Sequence, residues 1–247
     1  MLIPISDDNS EIKTRAVVNI FLIAVNVAVF IFLQGMSGEN AFTFGYSTIP
    51  AEILTGRDIV TAARDITDPY TGIVYHIPGL GSTGVPVYAT LVTSMFMHGG
   101  WAHLLGNMLY LFIFGDNLEN RLGSVRYLLF YLLCGIVASL SHVFSTFFMQ
   151  QNSLTPSLGA SGAISGVLGA YMFLFPRKKV YSFLLGFILP VPAFVALGLW
   201  IFFQIINGLG MLGGEGGIAY AAHIGGFLCG LLLIRFFDRS NGSKRTG

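Results

Sequence analysis

Long apolar stretches separated by short polar ones set the pattern of this chain. A helix needs about 20 apolar residues to cross a hydrocarbon layer. Six stretches approach that length, at 16–33, 101–118, 125–148, 158–175, 181–207 and 218–237. The second is interrupted by His103 and Asn107, and the sixth by His223. Pro176 and the basic run Arg177, Lys178 and Lys179 close the fourth. Pro190 and Pro192 fall inside the fifth, where they predict a kink. The pattern predicts an all-α membrane protein built as a bundle of six transmembrane helices. A cytoplasmic segment 1–15 precedes the helical domain 16–237, and a cytoplasmic tail 238–247 follows it. Segment 34–100 is a long outer loop, too long for a simple linker, and is expected to fold onto the bundle. Within it, "IPAEILT" reads as a short interfacial helix.

Composition supports the membrane assignment, with 54% hydrophobic and only 10% charged residues, where soluble domains carry about a quarter charged. Charge then orients the spans. With the N-terminus in the cytoplasm, eleven basic residues fall inside: Lys13, Arg15, Arg121, Arg126, Arg177, Lys178, Lys179, Arg235, Arg239, Lys244 and Arg245. Only Arg57 and Arg64 fall outside, so the positive-inside rule puts both termini in the cytoplasm. A multi-pass protein of the cell membrane (plasma or inner) is expected, with the lipid bilayer as its surroundings. The net charge of +1 gives no reason to expect a nucleic-acid partner. The first ten residues are polar and acidic, unlike a removable leader. Cys134 and Cys229 lie in apolar runs and read as small packing residues. The halves of the chain do not resemble each other, which argues against a transporter made of inverted repeats. "GLGMLGGEGG", 208–217, reads as a mobile outer loop suited to a gate.

Polar groups inside a span are costly and need a partner or a purpose. On the alternating topology the second, fourth and sixth spans all begin at the outer face. His103, Ser161 and His223 then lie within about 10 Å of those outer ends, at about 1.5 Å per residue. Asn107 follows His103 by four residues, on the same helical face. One layer thus holds a serine, two histidines and an asparagine from three helices. A serine hydroxyl attacks a carbonyl once a neutral histidine takes its proton, which gives Ser161 and His223 the roles of nucleophile and base. His103, Asn107 and the free amide of Ser161 at a helix start can donate to the oxyanion that forms. Gly159 permits a tight turn before the serine, and Gly162 removes a side chain beside it. Gly226 and Gly230 on the face of His223, with Gly162, Gly166 and Ala170 opposite, allow close helix contact.

Each of these residues also has a plainer reading. "LGASGAISG" alone reads as a packing strip. His223, His103 and Asn107 could each be an interhelical hydrogen bond. Their common depth favours chemistry, because packing alone does not require it. His98, about 140° round a continuous helix from His103, reads as a rim or loop-orienting residue. His142 reads as a bundle hydrogen bond and His76 as a solvated loop residue. Asn19 and Asn26 are expected to bond to neighbouring backbone. His98, His103 and His223 are the candidate metal ligands. The chain lacks HExxH, and no carboxylate shares their layer, so no metal and no other cofactor is expected. Ala163 breaks the GxSxG pattern of soluble hydrolases.

At these residues the chain resembles the rhomboid intramembrane serine proteases. "HGGWAHLLGN" matches the family's segment with two histidines and an asparagine, at His98, His103 and Asn107. "GASG" matches the nucleophile motif at Ser161, and "AHIGGFLCG" the last-helix motif with His223, Gly226 and Gly230. "GDNLENRLG" resembles the family's G-x3-E-x3-G element at Gly115, Glu119 and Gly123. By itself that piece reads as a polar cytoplasmic turn, with Glu119 capping or bonding nearby backbone. The resemblance implies a six-helix core, a Ser–His dyad without a third acidic member, and cleavage of transmembrane protein substrates near the outer face without metal or ATP. It also implies a first outer loop partly within the membrane and a gate formed by the fifth helix. A relative that has lost activity and only binds membrane helices is the alternative the resemblance leaves, and such relatives usually lack the serine or the histidine. Two features depart from some relatives: the first outer loop has no Trp-Arg pair, and Ser165 stands where an aromatic residue packs on the histidine. If His223 is the base it must be neutral, and an ordinary histidine titrates near about 6.5. Cleavage should therefore fall on acidification in a pH–rate profile, and a profile flat to strongly acid pH would count against that role.

Overall fold

A computed structural model of the chain describes residues 3–77, 79–209 and 218–238. β1 (Ile3–Asp7) comes first, then α1 (Val17–Ala28), which continues into a wider π turn (Val29–Leu33). The long segment after it, expected to be the outer loop, folds as α2 (Ala41–Gly45), α3 (Pro50–Thr55), the hairpin of β2 (Arg64–Thr67) and β3 (Val74–Ile77), and α4 (Thr90–Thr93). The bundle follows as α5 (Trp101–Leu122), α6 (Ser124–Phe148) and α7 (Ser161–Leu174). β4 (Lys179–Leu184) and β5 (Phe187–Pro192) lead to α8 (Ala193–Gly208) and α9 (Ile218–Phe237). The glycine-rich loop from residue 210 to 217, expected to be the gate, and the tail from 239 lie outside the described residues.

The structure is mostly helical, and α7 is its axis: every residue from Gly162 to Tyr171 is buried. α5, α6, α8 and α9 surround it. Among the described residues two helices, Ser124–Phe148 and Tyr220–Phe237, are long and apolar enough to cross a membrane unaided. Val17–Leu33, Val87–Phe96, Ser161–Leu174 and Ala193–Gly208 are apolar but shorter. α5 is 22 residues long but carries Asp116, Glu119 and Arg121 near its end.

Three expectations need correction. The chain is not purely helical: β1, β4 and β5 form an antiparallel sheet in the order β1-β4-β5, and β2 pairs with β3. The stretch 181–207 is not one kinked span. Its first part belongs to the β4–β5 hairpin, closed at Leu185 and Gly186, both with positive φ (49° and 91°). A two-residue turn of that kind matches the twist of paired strands. Pro190 and Pro192 lack an amide donor and so fit the edge strand β5, and Pro192 sits immediately before α8. Finally, "GDNLENRLG" is not a turn but the last helical stretch of α5, which ends at Gly123 with φ 81°.

Polar contacts lock the end of the bundle where β1 sits. Glu119 accepts from the amides of Val18 (3.1 Å) and Asn19 (2.7 Å) and from the Ser124 hydroxyl (2.6 Å). It thereby caps α1 and joins it to α5 and α6. Gly115 leaves room beside it for the Asn19 carboxamide, whose Oδ1 accepts from Tyr127 and whose Nδ2 donates to the Leu111 carbonyl. Asn26 donates to the Leu22 carbonyl one turn back. Arg121 grips Asp238 through two 2.9 Å bonds, tying α5 to the end of α9. Asp7 accepts from the Tyr171 hydroxyl of α7 (2.5 Å) and from Asn117 of α5 (2.8 Å). Lys178 donates to the same Asn117.

Burial pushes the Asp7 carboxyl up to about 6, opposed in part by the Tyr171 hydrogen bond. Asp7 therefore keeps its proton in the folded chain at pH values where an unfolded aspartate has lost it. Its contribution is present below about pH 4 and is lost as pH rises through about 6. Asp7→Asn should gain on wild type between pH 4 and 7, by on the order of 2–3 kcal/mol. Thermal unfolding in detergent across that range is the check, and parallel curves for the two proteins would refute it.

Candidate active site

The loop before α7 makes a sharp turn. Gly159 has φ 124°, and its amide donates to the Ser94 carbonyl at 2.8 Å. That turn brings Ser161 in as the first residue of α7. The Ile164 amide donates to the Ala160 carbonyl, so the Ser161 amide lies ahead of the helical ladder.

α9 brings His223 to the serine, with Nε2 2.8 Å from the Ser161 hydroxyl oxygen. Glycine packing makes this approach possible. A side chain on Gly226 would run into the Gly162 carbonyl oxygen, and one on Gly230 into that of Gly166. Gly162 is itself pressed against Ala138 of α6. Gly225 faces Ser141 of α6, so the small-residue surface of α9 is wider than the sequence pattern suggests.

α5 supplies the third side of the site. His103 accepts the Gly99 amide at Nδ1 (3.2 Å), which leaves the proton of a neutral ring on Nε2. Nε2 lies 2.8 Å and Asn107 Nδ2 3.7 Å from the point a Gly159 side chain would occupy. Asn107 Nδ2 is buried and has no hydrogen-bond partner among the described residues. Two donors thus converge from α5 on the hollow beside Ser161. A cavity of about 290 Å³ opens there, lined by His103, Ser161 and the small residues Gly135, Ala138 and Gly162. Chemically, a hydroxyl against an imidazole nitrogen can serve as nucleophile and base, and nearby donors can hold a developing negative charge.

His98 is not a rim residue. It lies just before α5, fully buried, with its ring 5.2 Å from that of His103. Gln34 holds its backbone from both sides, accepting from the His98 amide (3.0 Å) and donating to its carbonyl (2.9 Å). Other bonds fasten the outer segment: Thr48 and Ser157 exchange amide–carbonyl bonds of 2.9 and 2.8 Å, and the Thr48 hydroxyl meets Ser94 at 2.9 Å. His142 is buried on α6. His76 lies in β3. Among the described residues no three His, Cys, Asp or Glu side chains are grouped as metal ligands.

Two further residues meet at the site, and the sequence reading singled out neither. Gln204 of α8 meets the other side of the His223 ring, its Oε1 2.8 Å from Nδ1. Trp200, one turn earlier, lies against that ring at 5.9 Å between centroids. It covers the histidine where Ser165 does not; the Ser165 hydroxyl turns back to the Ser161 carbonyl at 2.6 Å. The only hint in the sequence was a glutamine inside an otherwise apolar span.

A serine in contact with a histidine between closely packed apolar helices is the arrangement at the core of this membrane-type bundle. The chain belongs to the rhomboid family: the model of the Rhomboid domain matches residues 86–239. It is 36% identical over 159 residues to Rhomboid protein 1, mitochondrial, of Saccharomyces cerevisiae, covering 63% of this chain and 44% of that protein. It is 38% identical over 138 residues to Rhomboid protease GluP of Bacillus subtilis, covering 55% and 26%. With Presenilin-associated rhomboid-like protein A, mitochondrial, of Danio rerio, identity is 34% over 147 residues, covering 59% and 37%. The chain thus spans less than half the length of each of these relatives, and family members are membrane proteins.

Gly159→Ala should lower turnover about ten-fold or more, because the strained backbone and the new methyl both displace the donors. Gly198→Ala in α8, which faces open space, should leave it unchanged. Steady-state cleavage of a membrane substrate is the measurement, and equal rates for both variants would refute the crowding at Gly159.

Proposed function

We propose that the chain is an intramembrane serine endopeptidase that cleaves transmembrane segments of other proteins near the outer membrane face. The 2.8 Å contact between His223 Nε2 and the Ser161 hydroxyl carries this reading. His223 takes the Ser161 proton as Oγ attacks the scissile carbonyl. The tetrahedral oxyanion accepts from His103 Nε2–H, Asn107 Nδ2–H and the Ser161 amide. His223 then gives its proton to the leaving amine, and water repeats the sequence on the acyl-enzyme.

The topology that goes with this reading has six spans, α1 with its π turn, α5, α6, α7, α8 and α9, and both termini in the cytoplasm. The basic residues support that orientation. The length of α7 bears on depth. Its 14 residues cover about 21 Å against a hydrocarbon core of about 30 Å. With Lys178 and Lys179 at the cytoplasmic interface, Ser161 lies below the outer face, at the floor of the small cavity through which water reaches it. The cell membrane is the proposed location; the mitochondrial names of two relatives make an organelle membrane the alternative.

Cleavage of a single-span substrate by purified protein is the test. Ser161→Ala and His223→Ala should each lower it by roughly a thousand-fold or more. Full cleavage by both variants would end the reading. A serine-directed fluorophosphonate should label wild type at Ser161 and not Ser161→Ala. Absence of both cleavage and labelling in wild type would point to a binder of membrane helices instead.

A further inference from the structure

His223 makes two side-chain hydrogen bonds, one through each ring nitrogen. A neutral imidazole carries one proton, and its place decides what the ring can do. With the proton on Nε2 the ring cannot accept from Ser161. With the proton on Nδ1, Nε2 presents a lone pair to the hydroxyl. A carboxamide oxygen only accepts, so Gln204 Oε1 at 2.8 Å from Nδ1 selects the second form.

The setting of Gln204 argues that this bond is its purpose. α8 is apolar apart from Gln204 and Asn207, whose side chain bonds back to the Phe203 carbonyl, and the neighbours Phe203 and Ile205 are exposed to the surroundings of the bundle, at 44% and 41%. A glutamine among such residues costs free energy unless it is paired. Trp200 shares its face four residues earlier and covers the ring that Gln204 holds by the edge. The same Trp200 packs on Phe227, one turn beyond His223 on α9. α8 therefore grips the ring by face and edge.

We propose that Gln204 is the positioning residue of this site. Its carbonyl oxygen accepts the Nδ1–H of His223 and holds the ring in the tautomer and orientation that let Nε2 take the Ser161 proton. When the ring becomes an imidazolium the bond remains, because Nδ1 is a donor in both states. This proposal rests on the assignment of Ser161 and His223 as nucleophile and base.

Two substitutions separate positioning from packing. Gln204→Met keeps length and approximate volume, suits an apolar helix and removes the acceptor oxygen. Gln204→Glu keeps an oxygen at the same place, ionised or not, and suits the helix poorly. Cleavage of a single-span substrate by the purified full chain gives kcat and KM, and thermal unfolding reports the fold. Positioning predicts that Gln204→Met loses about ten-fold or more in kcat, with KM within about two-fold and unfolding at or above the wild-type temperature. Gln204→Glu should stay within a few-fold of wild-type kcat despite lower thermal stability. Packing predicts the reverse order. Wild-type kcat in Gln204→Met, or equal loss in both folded variants, overturns the proposal. Gln204→Leu serves in the same way if the methionine variant does not fold. Ser161→Ala is run alongside. If it cleaves fully, the assignment of the nucleophile fails. If it is inactive while Gln204→Met is normal, only the role of Gln204 fails.

Discussion

The contact between α7 and α9 is the constraint on which the rest depends. Two carbonyl oxygens of α7, at Gly162 and Gly166, lie where side chains on Gly226 and Gly230 would be. No residue larger than glycine is compatible with that spacing. Only at that spacing do a serine at the start of one helix and a histidine on the next reach each other at 2.8 Å. Lipid offers little hydrophobic drive for helices to associate, so van der Waals contact over small residues must supply it. The same surface that stabilises the pair sets the geometry of the hydroxyl and the imidazole. Packing strip and reactive site are one structure.

The remaining parts hold this pair in place. At one end, Glu119, Asp7, Asn117 and Arg121 bind α1, α5, α7, α9 and β1 together through hydrogen bonds; those of Glu119 to Asn19 and of Asp7 to Tyr171 and Asn117 are buried, where water does not compensate for lost partners. At the other end the outer segment is fastened to the loop before α7 through Thr48, Ser94 and Ser157, and to the start of α5 through Gln34 and His98. These bonds support Gly159 and the Gly99–His103 contact, so the donors of α5 and the turn carrying Ser161 are anchored to the same loop. α8 is a third support and meets the ring through one tryptophan and one carboxamide. A neutral amide suits that place, since a carboxylate would bring a charge into an apolar helix.

The bundle helices of α1, α5, α6, α7 and α9 were legible because each is a long apolar run with a polar boundary. Ser161, His223, His103 and Asn107 were legible because polar groups in such runs are rare, and counting residues from the ends of the runs put them at one depth. The β4–β5 hairpin was not legible. An apolar run of that length reads equally as strand or helix, and the signals against a helix were Gly186, Pro190 and Pro192. The burial of His98 was not legible, because its angle from His103 was counted along a continuous helix, whereas α5 begins only at Trp101, after Gly99 and Gly100.

The sequence by itself determined which polar groups stand inside the apolar runs and how far each lies from the end of its run. That information is local: hydropathy, charge and spacing along one helix at a time. Only the tertiary structure decided what faces what. It set the 2.8 Å bond to Ser161, the approach of His103 and Asn107 to the turn at Gly159, and the meeting of Gln204 and Trp200 with the far side of the His223 ring. Those contacts join residues on different helices. Their distances depend on how closely and at what rotation the helices pack, which spacing along a single helix does not encode.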